Sequence, residues 1–267
     1  MSTARELFLE GKLSEALAAQ TAQVKARPAD VDARGLLIEF LCLAGQLERA
    51  DTQLETVLAQ SPDRLAGTAL LRQLVRAEQA RRDFWTLGRV PEFQGEPGPR
   101  LKLGLEASIR LRERDFAGAM ALLVQAEELR APLAGQHGQQ AFADLRELDD
   151  RLGGVLEVLT STGKYYWIDF AEVELLEFEA PERPLDLLWR RARLALRSGT
   201  DGTVYVPAIY APLDDAQDAH KLARATDWVE TGPGGPVRGV GQRTWMIGDS
   251  DVPLLEVDAL RLGAGGA

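Results

Sequence analysis

Apolar positions recur at helical spacing through about the first 145 residues. After about residue 150 they give way to short β-prone runs divided by turn residues. Within the helical half, Gly11-Lys12-Leu13-Ser14-Glu15-Ala16 returns as Gly45-Gln46-Leu47-Glu48-Arg49-Ala50, and Pro28 returns as Pro62. Each offset is 34 residues, the tetratricopeptide period. The period has a physical cause: glycine permits a tight turn between antiparallel helices, the small alanine lets the second helix approach the first, and proline ends that second helix. A weaker third copy spans Arg114 to Ala119, where Phe116 lies 69 residues beyond Leu47 and Arg114 stands in place of the glycine. Between the copies, Pro91 to Pro99 predicts a linker or turn, and Leu65 to Leu87 a degenerate hairpin.

In the second half, Val155 to Thr160 and Tyr165 to Phe170 predict a hairpin through Ser161-Thr162-Gly163-Lys164. A second hairpin is expected to join Leu187–Leu196 to Thr203–Ile209, and a third to connect Arg243–Ile247 with Leu254–Leu262. Alternation places Leu194 and Leu196 on one face of their strand and Arg191, Arg193 and Arg197 on the other. A helical insertion is expected near Ala216 to Thr226. The fold class is therefore α+β: a tetratricopeptide-like helical-hairpin stack over residues 1–145, then a small, barrel-like or curled β-rich domain over 150–262.

Composition narrows the chemistry. The 267 residues are 45% hydrophobic with a formal charge of −10, which supports packed cores and disfavours nucleic acid or anionic membranes as partners. No signal-peptide core or long apolar run is present, so a cytoplasmic location is expected. One cysteine, Cys42, and two histidines, His137 and His220, leave little material for a disulfide or a zinc site. Both histidines are expected at the surface and Cys42 in the core or a groove.

Thr160 to Lys164 lacks the first glycine and the final Ser or Thr of a phosphate loop and reads as a turn. Asp149-Asp150, with Glu147 and Glu157, offers carboxylates, but neighbouring side chains diverge, and a helix end or interdomain salt bridges fit better. A carboxylate-dependent metal hydrolase at Asp149, Asp150 and Asp227 is the enzymatic alternative. Gly232 to Gly241 predicts a mobile loop beside Trp228 and Trp245, and Arg190, Arg191, Arg193 and Arg197 form the one basic strip.

Seven ordered blocks follow one another through this half: Asp150-Arg151-Leu152-Gly153 with Val155 to Val158, Tyr165-Tyr166-Trp167, Asp186 to Arg190 around Trp189, and Val206 to Tyr210. They continue with Arg224 to Trp228, including Asp227, then Gly241-Gln242-Arg243, and finally Gly248-Asp249. Together they resemble the ImpE/TagJ family of type VI secretion accessory proteins, also called SciE-type virulence proteins; Asp169 stands where that family's aromatic strand is expected to carry proline. The resemblance implies a non-enzymatic cytoplasmic protein without a cofactor. It further implies binding to the N-terminal helix of the small, TssB-like subunit of the contractile sheath, and a link to the AAA+ ATPase ClpV that disassembles the sheath. A helix-binding chaperone for another partner is the remaining alternative. Stacked hairpins form a groove suited to an amphipathic helix, and the first helix of the second repeat would line it with Asp32, Gly35, Glu39 and Cys42.

Overall fold

The computed structural model describes residues 2–213 and 216–263. Helices α1 (Ala4–Leu9) and α2 (Leu13–Ala26) form one hairpin, and α3 (Val31–Leu43) and α4 (Leu47–Gln60) the next. Thr3 and Glu6 close a capping box at the first helix, with the Glu6 amide 3.2 Å from the Thr3 hydroxyl. Gly11 and Gly45 turn the two hairpins at φ +84° and +79°, a left-handed backbone that side chains resist. Behind them Leu13, Ala16, Leu47 and Ala50 are buried at the helix contacts. The third copy is also a hairpin, α6 (Pro99–Arg112) with α7 (Phe116–Glu128), and Arg114 takes φ +62° in the position the glycine would fill.

Two expectations about this half need correction. Leu65–Leu87 is one continuous 23-residue helix, α5, closed by Gly88 at φ +80°. Nothing between its ends interrupts the backbone hydrogen bonds, so no hairpin forms; at 1.5 Å per residue it runs about 35 Å. The helices end at Glu128, and the stretch up to 147 holds three short strands, β1 (Gly135–His137), β2 (Gln140–Phe142) and β3 (Leu145–Glu147). His137 therefore lies half-buried in a strand, opposite Leu260, and not in an open loop.

The remaining strands are β4 (Val155–Leu159), β5 (Tyr165–Asp169), β6 (Val173–Phe178), β7 (Trp189–Leu196) and β8 (Asp201–Pro207). They are followed by α8 (Asp218–Lys221), β9 (Thr226–Glu230), β10 (Val237–Gly241), β11 (Thr244–Ile247), β12 (Ser250–Pro253) and β13 (Ala259–Leu262). Eight of them form one antiparallel sheet in the order β2-β1-β13-β6-β7-β8-β4-β5. The order is linear, so the sheet does not close by hydrogen bonding into a barrel; β11 pairs in a separate sheet, β12-β11-β3, whose Trp245 and Ile247 pack on one face of the larger one. The third expected hairpin is thus β11–β12, while β13 returns to pair with β1 and β6. Glu92, in the linker before α6, extends the outer edge at Tyr166.

Strand β4 explains how the halves join. All five of its residues are buried: Leu156 and Val158 face the three-stranded layer, whereas Val155 and Leu159 join a core that also contains Leu74, Val75 and Phe84 of α5. Phe84 meets Trp167 edge to face at 4.7 Å. One hydrophobic core therefore runs through the repeats into the sheet. Among the described residues no helix is long and apolar enough to cross a membrane.

Candidate functional site: a groove and the buried ion-pair ladder beside it

The first helices of the repeats, α1, α3 and α5, share one face, and a groove follows it. Its larger chamber, about 800 Å³, has Arg5, Phe8 and Leu9 on one wall, Gly35, Leu36 and Glu39 as its floor, and the segment Pro181–Pro184 with Leu187 on the other wall. A second chamber of about 430 Å³ continues from Gly35 and Glu39 along Thr68, Leu71 and Leu74 of α5. Three of the four expected lining residues are here. Asp32 stands exposed at the rim and pairs with Arg64 at 2.8 Å. Gly35 has no atom within 4 Å of where a Cβ would lie, so its absent side chain leaves open space. Glu39 lies between the chambers; burial pushes its carboxyl up, partly countered by Arg183 and the Leu185 backbone N–H.

Cys42 does not line the groove. Ten residues beyond Asp32, the 3.6-residue period has carried it about 80° round the helix, and it is fully buried, with its thiol pushed up by desolvation. The wall formed by residues 181–187 could not be inferred from repeat geometry, because it comes from the connection between β6 and β7, about 150 positions along the chain.

Behind the groove, α5 meets the sheet through a ladder of buried charges. Arg81 donates from Nε and Nη2 to the Glu157 carboxylate at 3.0 Å each and from Nη2 to the Ile209 carbonyl at 3.0 Å. Arg243 reaches Glu157 at 2.9 Å through Nη1, and Glu147 at 3.0 and 2.6 Å through Nε and Nη2. Indole and phenol donors fill the other acceptor sites: Tyr165 on Glu157 at 2.5 Å, Tyr210 and Trp245 on Glu147 at 2.6 and 3.0 Å, and Trp189 on Glu78 at 3.1 Å. Trp167 in turn donates to the Tyr165 hydroxyl. Burial alone would push the Glu157 carboxyl up, but the Arg81 and Arg243 guanidiniums hold it at about 2. Burial and the adjacent carboxylates push the Tyr165 and Tyr210 hydroxyls well up, so both stay neutral donors.

The other motif residues divide in the same way. Arg151 binds Asp149 and the Ala211 carbonyl and lies 4.2 Å from the Trp85 ring centre, and the Asp150 carboxylate accepts the Val237 N–H at 2.8 Å. Gln242, with its amide oriented to satisfy both neighbours, donates to the Ala223 carbonyl and accepts the Leu255 N–H, bridging the turn after α8 to the turn between β12 and β13. Asp227 holds His220 Nε2 at 3.0 Å while Nδ1 accepts the Gln217 N–H, so His220 is buried and not at the surface. Trp228 is 43% exposed and packs edge-on against Tyr210. Residues 237–241 of the expected mobile loop are strand β10, paired with β9, and Arg190 has left the basic strip to bind the Leu254 and Val257 carbonyls from beneath the sheet. Asp169, the departure from the expected proline, caps the Ala171 amide and binds Arg100 on α6. Asp149, Asp150 and Asp227 are each engaged in different contacts, and among the described residues no group of three or more Asp, Glu, His or Cys is placed to share a metal ion.

Comparison with known proteins agrees with this division. Residues 139–261 match the model for the ImpE protein family, and residues 7–74 match a tetratricopeptide repeat model. The type VI secretion system accessory component TagJ of Pseudomonas aeruginosa is 31% identical over 258 residues, 96% of this chain and 90% of that protein. The chain belongs to the ImpE/TagJ family. A crystal structure of protein VPA1032 from Vibrio parahaemolyticus superposes with a TM-score of 0.91 at 31% identity, covering 97% of both chains. The family thus keeps the helical stack and the β-rich half together, as the shared core requires.

Proposed function

We propose that this protein is a non-catalytic cytoplasmic adaptor of a type VI secretion system that holds the N-terminal helix of the small, TssB-like sheath subunit in the groove. The observation that carries the reading is the groove itself: a trough of mixed apolar and charged lining along α1, α3 and α5, with open space over Gly35 and a second wall from the β-rich half. Apolar positions flanked by charges suit an amphipathic helix that presents an i, i+3, i+4, i+7 face. The accessory role of the Pseudomonas relative supports placing it in that apparatus. Bound to the sheath, the protein would present contracted sheath to the AAA+ ATPase ClpV, a step supported by the family resemblance.

The test is calorimetry with the purified small sheath subunit, intact and lacking its N-terminal helix, against the wild type and Gly35→Trp. Wild type should bind only the intact subunit. Gly35→Trp, whose indole would project into the open space over the floor of the larger chamber, should weaken binding by at least about tenfold, or about 1.4 kcal/mol, because it takes ground the helix would cover. Binding that survives both removal of the helix and Gly35→Trp overturns the proposal.

A further inference from the structure

Glu39 is the one acid placed between the two chambers, and it is incompletely satisfied. Its Oε2 is buried without a hydrogen-bond partner. Among the described residues the backbone group directed at the carboxyl is the Leu185 N–H, and the charged groups facing it are Arg183 and Arg5, with Asp186 opposing them. Arg183 is paired with Asp186 at 3.4 Å and makes no hydrogen bond to Oε2. A buried acceptor left unmade is destabilising, and a fold tolerates that most readily where a ligand supplies the donor.

We propose that Glu39 is a selectivity anchor, and that the helix accepted by the groove carries a lysine or arginine within its apolar face, whose cationic head meets the Glu39 carboxylate where it lines the chambers. The inference rests on the groove reading above and adds the chemistry of the occupant to it. Gly35, one turn away on the same face of α3, lets the incoming backbone approach closely enough for such a side chain to reach down. The long methylene stem of a lysine or arginine packs along Phe8, Leu36 and Leu187 while its head stays polar, so one side chain satisfies both the apolar walls and the acid. A neutral amphipathic helix would leave the oxygen dry and unpaired and bind less well. A helix with an acid at that position would be rejected by like charge, which gives the groove a basis for choosing among many amphipathic helices.

The probe is a synthetic peptide of the sheath subunit's N-terminal helix, in which each lysine and arginine is replaced in turn by methionine. Affinity is measured for wild type, Glu39→Gln and Gly35→Trp, with thermal melts confirming that each variant folds. One peptide substitution should weaken binding to wild type by about ten- to a hundredfold. The same substitution should change binding to Glu39→Gln by less than about threefold, because the cation's partner is then already gone. If Gly35→Trp blocks the peptide but no cation couples to Glu39, the selectivity anchor is overturned and the groove reading stands. If Gly35→Trp binds the peptide like wild type, the occupant is elsewhere and both fall.

Discussion

Replacing Arg243 by methionine should remove the cation common to both ends of the ion-pair ladder. The guanidinium is fully buried and holds Glu147 and Glu157 through contacts of 2.6 to 3.0 Å. Without it Glu157 keeps Arg81, whereas Glu147 keeps only the Tyr210 and Trp245 donors as side-chain partners. Breaking a buried pair by removing one member costs about 3–5 kcal/mol, against a total stability of about 5–15 kcal/mol for a native protein. The titration of Glu157 gives an independent scale: holding its carboxyl at about 2 in place of its ordinary 4.5 is worth about 3 kcal/mol at neutral pH. Because the folded value is depressed, that stabilisation is complete above about pH 4.5 and is lost as pH falls toward 2. The variant should therefore lose about 3–5 kcal/mol in urea titrations at pH 7, and its acid transition should begin at higher pH than that of wild type. Arg243→Lys should recover less than half of the loss, since one ammonium cannot reproduce three N–H bonds to two carboxylates. Tryptophan emission, with four of the five tryptophans on strands and Trp85 on α5, reports chiefly the β-rich half, and far-ultraviolet dichroism reports the helices. The two transitions should coincide, because the ladder and core are shared. A loss under about 1 kcal/mol would refute the assignment of Arg243 as the cation shared by Glu147 and Glu157, and helices that melt apart from the sheet would refute the shared core.

The remaining predictions are simpler. Arg114→Gly should raise stability by about 0.5 kcal/mol by relieving a left-handed side chain, while Gly45→Ala should cost about 1–2 kcal/mol at φ +79° with Arg82 3.1 Å from the new Cβ; the pair is checked by thermal melts, and equal signs would be inconsistent with the turn geometry. Cys42 should remain unreactive toward a thiol reagent in the native protein and react fully in denaturant, because it is buried and burial pushes its thiol up; reaction at the rate of a free thiol would contradict its placement.

The features readable in the sequence were those whose physical cause is local. Gly11, Gly45 and the alanines that follow them act within one hairpin, so a 34-residue offset exposes them. The Ser161–Lys164 turn is likewise set by its own residues, with Gly163 at φ +81°. The ladder was not readable, because Arg81 and Glu157 lie 76 positions apart and meet only after two layers stack. Strand β4 did carry a signal: a glutamate flanked by Val155, Leu156, Val158 and Leu159 has no solvent face if both sides of its strand are covered. Alternation placed Arg191 and Arg193 correctly in water, and by the same period Arg190 shares the covered face of Ala192 and Leu194; only its grouping with the neighbouring arginines as one basic strip misplaced it. His220 was assigned to the surface from its polar neighbours, yet its two ring nitrogens are used to fix α8 against β9.

The ladder also bears on how the groove works. Helix α5 supplies Thr68, Leu71 and Leu74 to the second chamber and, one turn farther on, Glu78, which accepts the Trp189 indole N–H. Trp189 opens β7, directly after the 181–187 segment that forms the opposite wall. The 181–187 wall is therefore tied to α5 through Trp189 and Glu78, and α5 is tied to the sheet through Arg81 and Glu157. Burying so many charges adds little net stability compared with apolar packing of the same volume. Its directional bonds instead fix the spacing of the walls, so that an entering helix does not spend binding energy on ordering them. A helical stack without the β-rich half would present α1, α3 and α5 as a face open on one side. In this protein the second half completes the trough, which is a physical reason for the two to occur as one chain with a common core.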